Sequence, residues 1–139
     1  MTDCLRRQYD QFCFDRPDGR KYCERGNLTL AENIADNAGL QVVYAAYKQH
    51  EKLTGEEQKL PDPFSNFSMD QVFFMSAVRP WCTNNIDDDI QHIQSTATGS
   101  HAISRFRVRG AVENMPEFEK AFHCKPGSGM VPKQRCKLW

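Results

Sequence analysis

No two of the six cysteines are spaced as C-x-x-C, which leaves zinc-finger and thioredoxin-like readings without support. Nor is there an apolar run long enough for a membrane span, and the first twenty residues, MTDCLRRQYDQFCFDRPDGR, contain no signal-peptide core. The segment therefore makes no direct membrane contact. Charge of either sign is not in excess: 18 Lys and Arg balance 18 Asp and Glu, and the basic residues are scattered. That argues against a nucleic acid or an anionic membrane surface as partner. Internal repeats and low-complexity segments are also missing.

What is present points to an oxidising compartment. Without C-x-x-C spacing, disulfides are the default use of Cys4, Cys13, Cys23, Cys82, Cys124 and Cys136. Two glycosylation sequons, Asn27-Leu28-Thr29 and Asn66-Phe67-Ser68, agree with an extracellular location. Since nothing in the chain would export it, the expectation is a C-terminal portion of a longer protein, secreted or the ectodomain of a single-pass membrane protein. The export signal then lies upstream, and Met1 is internal or a truncated start. Length places all 139 residues in one domain.

Along the chain, residues 1 to 12 carry the end of a helix, and Asp15-Arg16-Pro17-Asp18-Gly19 is turn chemistry flanked by Cys13 and Cys23, close enough to staple it. A long helix runs from an N-cap at Thr29 to about His50, ended by Lys52-Leu53-Thr54-Gly55, and Leu60-Pro61-Asp62-Pro63 is a loop. Ser68-Met69-Asp70-Gln71 is a capping box opening a helix from Met69 to about Trp81, with Phe73, Ala77, Val72 and Ser76 on its buried face and Pro80 closing it. Residues 83–102 read as a long loop with a turn near Asp88 to Gln94, and Asp87-Asp88-Asp89 as a solvated face. The alternating run Ile103 to Gly110 is strand-like, Met115-Pro116-Glu117 starts a short helix, and Phe118 and Phe122 pair at i, i+4. The fold class is mainly α with one short strand-like run.

Within the long helix, Glu32 and Asp36 stack at i and i+4 on a stripe continued by Gly39, Val43 and Ala46, so they are expected to point inward. An ionised carboxylate on a packed face needs a partner. A salt bridge or the helix dipole can serve, or Glu32 can be a metal ligand with Asp36 supporting the site one turn later.

Four stretches taken together resemble the C-terminal part of the neprilysin and endothelin-converting-enzyme family of zinc metallopeptidases. They are Glu32-Asn33-Ile34-Ala35-Asp36-Asn37-Ala38-Gly39; Trp81-Cys82; His101 with Phe106-Arg107; and Glu117-Phe118 through Phe122-His123-Cys124 to Cys136-Lys137-Leu138-Trp139. The resemblance runs from about Cys4 onward and implies a partial zincin-type domain, residues 1–139, whose H-E-x-x-H part lies upstream. It implies Glu32 as third ligand to Zn2+, Asp36 as the acid orienting a zinc-binding histidine, His101 as the transition-state histidine and Arg107 as the holder of a substrate carbonyl. A histidine or arginine donor suits the charge that grows on a peptide carbonyl oxygen under attack by zinc-bound hydroxide. One departure stands out: Ala102-Ile103 follows His101 where the family often has Ser-Pro.

The resemblance also implies that Cys4 pairs with Cys136, while Cys82 and Cys124 lack partners here; Cys13 with Cys23 is inferred from spacing alone. Zinc catalysis needs three protein ligands and an open position, and this chain offers one. His50-Glu51-Lys52-Leu53-Thr54 has Thr54 where H-E-x-x-H has its second histidine. The isolated chain is thus expected to be inactive, its peptide substrate binding between it and the missing upstream half, with Phe106 or Val108 lining the substrate side-chain pocket. The alternative is a non-catalytic, stand-alone remnant that binds peptides or a partner.

Overall fold

Leu5, Tyr9 and Phe12 recur at i, i+4 and i+7, so one apolar stripe forms when the first residues wind into α1 (Thr2–Asp10), with Phe12 just beyond its end. The structure, a computed structural model, describes residues 2–82 and 100–138. After α1 the chain makes a hairpin, β1 (Cys13–Asp15) against β2 (Lys21–Cys23), antiparallel with Cys13 opposite Cys23. Gly19 supplies the positive φ of 78° that its turn requires, and Asp18 accepts a bond from the Arg20 amide. A Cys13–Cys23 disulfide closes the hairpin, and a second joins Cys4 to Cys136 across 132 residues.

The long helix α2 (Leu30–Thr54) continues a full turn past His50 before Gly55, at φ 90°, ends it. Thr29 is its N-cap, although its hydroxyl makes no cap bond; it donates to the Arg25 carbonyl and accepts from the Asn33 side-chain Nδ2. The capping box is formed as Ser68 and Gln71 predict, opening α3 (Met69–Val78), which passes into a 3-10 turn, Arg79–Trp81. The fully buried residue of α3 is Phe74, and Ser76 is exposed, so its inner face is rotated from the expected one. Phe74 lies where rings from three helices converge: Tyr44 stacks on it at 5.4 Å and Phe118 meets it edge-on at 5.4 Å.

The run from Ile103 to Gly110 is helix, not strand: α4 (Ser104–Glu113) begins directly after Ile103. Its period-2 look comes from Arg105, Arg107 and Arg109, but the buried positions of the run are Ile103, Phe106 and Gly110, at the i, i+3, i+7 spacing of a helical face. The only sheet among the described residues is the hairpin. α5 (Pro116–Phe122) follows with Pro in its first turn and Phe118 and Phe122 centroids 4.9 Å apart. The turn expected at Asp88 to Gln94 and the acidic run Asp87 to Asp89 lie outside the described residues.

Two apolar clusters result. Leu5, Tyr9, Phe12, Ile103, Phe106 and Leu138 form one, and Phe74, Met115 and Ala121 centre the other. α1 and α4 touch at Gly110, where an added Cβ would lie 2.2 Å from the hydroxyl oxygen of fully buried Tyr9. Gly110→Ala is therefore expected to cost about 1–3 kcal/mol through overpacking. A shift of the urea midpoint checks it, and an unchanged midpoint would show that Tyr9 can move aside.

Candidate functional site

α2 and α4 lie against each other, and four polar residues in the first turns of α2 form two i, i+4 pairs on adjacent stripes. Asn33 and Asn37 are buried, whereas Glu32 and Asp36 are partly exposed. The stripe expected to point inward does not: Gly39, Val43 and Ala46, its continuation, are all exposed. The reason is chemical. An amide brings no charge to desolvate inside a packed interface, so the asparagines take the interior and the carboxylates the rim.

The buried side is a network. Asn37 donates to the Asn33 carbonyl at 2.8 Å and to the Tyr9 hydroxyl at 3.4 Å. Asn114, just past α4, donates to Asn37 Oδ1 at 2.7 Å and to Gln8 Oε1 at 2.8 Å, and accepts from the Cys136 amide at 2.8 Å. Burial, with the Asp36 carboxylate second, pushes the Tyr9 phenol well above its ordinary range. These asparagines escaped sequence reasoning, and the available signal was the second i, i+4 pair inside the same motif.

On the rim, Arg107 of α4 forms a two-pronged bond to Asp36, Nε to Oδ2 at 2.6 Å and Nη2 to Oδ1 at 2.7 Å. The fork holds the guanidinium in its charged form even more firmly than usual, chiefly through the Asp36 hydrogen bonds and against the effect of burial. The Trp81 ring covers it, its centroid 5.4 Å from Cζ. His101 approaches the other acid, Nε2 lying 3.1 Å from Glu32 Oε2, with both side chains open to solvent at 44% and 36%. Ser100 Oγ is 3.3 Å from His101 Nδ1. All four sequence-predicted site residues thus meet on one face, as two carboxylate contacts one helical turn apart.

That face has room beside it. A groove of about 310 Å³ runs between α2, α3 and α4, with Leu40, Val43, Ala77, Trp81 and Val108 among its walls and Asp36 and Arg107 at its polar end. Phe106 is not part of it, being 3% exposed in the first apolar cluster. Among the described residues no three metal-ligating side chains come together. The partly exposed Glu32 carboxylate is an oxygen donor of the kind zinc accepts. Cys82 is exposed and Cys124 half-buried, neither in a disulfide, and Asn27 and Asn66 are both exposed.

Residues 1–138 match the sequence profile of Peptidase family M13. The chain is 37% identical to endothelin-converting enzyme 1 of Bos taurus and 36% identical to neprilysin of Homo sapiens, each over 139 residues and all of this chain. It spans only 17% and 18% of the length of these curated relatives. Among solved structures it is similar to a chain of the Haemonchus galactose containing glycoprotein complex, with TM-score 0.83 and 32% identity over 99% of this chain and 23% of that one. A Mycobacterium tuberculosis zinc metalloprotease, Zmp1 in its open state, shares the fold with TM-score 0.78 at 24% identity, over 99% of this chain and 21% of that one.

Proposed function

Because the chain belongs to peptidase family M13, a family of metallopeptidases, we propose that it is the C-terminal portion of a zinc metalloendopeptidase domain acting on oligopeptides. The observation that carries the reading is the convergence of Glu32, Asp36, His101 and Arg107 on one rim beside an apolar groove. Glu32 would hold Zn2+ together with ligands of the upstream half of the domain, and the bound metal would supply a polarised water as nucleophile.

The remaining work falls to this chain's own side chains. His101, held at the rim by Glu32, donates to the carbonyl oxygen as negative charge develops there. Arg107 spends Nε and one Nη2 hydrogen on Asp36, which leaves its Nη1 donors for a second substrate carbonyl. Both Asp36 oxygens keep a lone pair, so the same carboxylate can also orient a histidine of the upstream half. The groove accepts an apolar substrate side chain, with Val108 and Trp81 as walls.

Exposed Val42, Val43 and Met75 form the ground on which the upstream half packs, and Cys82 and Cys124 find their partners in it. The disulfides suit an oxidising compartment, and no described helix is long and apolar enough to cross a membrane. The whole protein is then an extracellular peptidase, anchored or secreted, with glycans at Asn27 and Asn66.

The test is to isolate the native polypeptide with an antibody against the tail that begins at Cys124. The expected result is a polypeptide several times heavier than this chain, with about one zinc per molecule and chelator-sensitive hydrolysis. Glu32→Ala should lose both metal and hydrolysis while keeping its circular dichroism spectrum. A native polypeptide of this chain's own size, without zinc, would overturn the proposal in favour of a non-catalytic interaction module.

A further inference from the structure

Glu24 is a carboxylate only 5% exposed, and neither the turn chemistry nor the site described above accounts for it. It follows β2, with its backbone amide bonded to the Phe12 carbonyl at 2.9 Å, so the stapled hairpin fixes where it stands. Oε1 accepts from the Tyr22 hydroxyl at 3.2 Å and from the Arg25 amide at 3.3 Å. Oε2 crosses 79 positions of sequence to accept from the Ile103 amide at 3.2 Å.

Ile103 is the N-cap of α4, and no side chain of its own segment caps that helix. A carboxylate at this amide satisfies a donor that the helix leaves open and sits where the helix dipole favours negative charge. Ala102 and Ile103 are 1% and 0% exposed, so a lost acceptor could not be replaced by bulk water. His101 is the next residue towards the N-terminus, where the chain emerges from this clamp towards Glu32. A proline at position 103, as in the pattern this chain departs from, would bring no amide and need no acceptor. Ile103 brings one, and Glu24 meets it.

We propose that Glu24 is a positioning residue for His101, acting through the Ile103 amide from the Cys13–Cys23 hairpin. That His101 in turn serves a peptidase rests on the function proposed above, whereas the clamp itself does not. Two readouts on the full native polypeptide need no hydrolysis: hydrogen exchange at the Ile103 amide, and the carbethoxylation rate of His101 by diethyl pyrocarbonate, both followed by mass spectrometry. Glu24→Ala is expected to speed both about tenfold or more, with exchange in α3 unchanged. Glu24→Gln can keep an acceptor oxygen on the Ile103 amide while its NH2 turns to the Tyr22 hydroxyl oxygen and gives up the Arg25 bond, so it guards against a folding failure and should restore part of both.

With hydrolysis measured alongside, kcat should fall about 10- to 100-fold in Glu24→Ala at nearly constant KM. Unchanged carbethoxylation of His101 in Glu24→Ala, whether or not Ile103 exchanges faster, would refute the positioning role. Wild-type protein with no hydrolysis would refute the peptidase reading alone, and the two chemical readouts would still decide the clamp.

Discussion

Replacing Cys4 and Cys136 together by serine is expected to lower stability by about 5 kcal/mol, the largest single effect in the molecule. The bond closes a loop across 132 positions, and the chain-entropy relation gives about 5 kcal/mol for a loop of that size. The same relation gives about 3 kcal/mol for the short Cys13–Cys23 loop, which spans 10 positions. A domain this size has about 5–15 kcal/mol in total, so the first double variant should be largely unfolded at 37 °C while the second stays folded. Urea unfolding of both variants checks the ordering. Equal losses would mean that native-state contacts of buried Cys136, rather than freedom of the unfolded chain, set the effect.

Asn114→Ala should follow, at about 3 kcal/mol or more. One side chain here serves three elements: it donates to Gln8 near the end of α1 and to Asn37 of α2, and it accepts from the Cys136 amide of the tail. Truncation strands these groups at a site 5% exposed, and each unsatisfied buried group costs about 1–3 kcal/mol. Asn37→Ala should be similarly costly, and the double variant should cost clearly less than the sum, because either change breaks the same link. Guanidinium unfolding of the cycle measures this. Strict additivity would show that the two asparagines act separately.

Elements governed by local chemistry were legible in the sequence: the hairpin turn with Gly19, the box of Ser68 and Gln71, and Pro116 in the first turn of α5. α4 was not, because arginines at alternate positions imitate a strand. Tertiary structure gives the three separate tasks: Arg105 lies over Phe14, Arg107 pairs with Asp36, and Arg109 pairs with Glu113 over Phe12. The facing of Glu32 and Asp36 is not legible for a related reason, since periodicity separates apolar from polar residues but does not rank carboxylates against amides. The members of the site could be named from the family resemblance. The link between Asp36 and Arg107 spans 71 positions, and only the folded chain shows that two residues assigned separate tasks share one hydrogen-bonded fork.

The bond between residues 4 and 136 holds their Cα atoms 5.6 Å apart, which makes the chain covalently a ring. The chain thus enters the bundle at residue 4 and leaves it at residue 136 side by side. A pull applied to the chain ahead of Cys4 and behind Cys136 would run through the sulfur bridge and leave the helices between them unloaded.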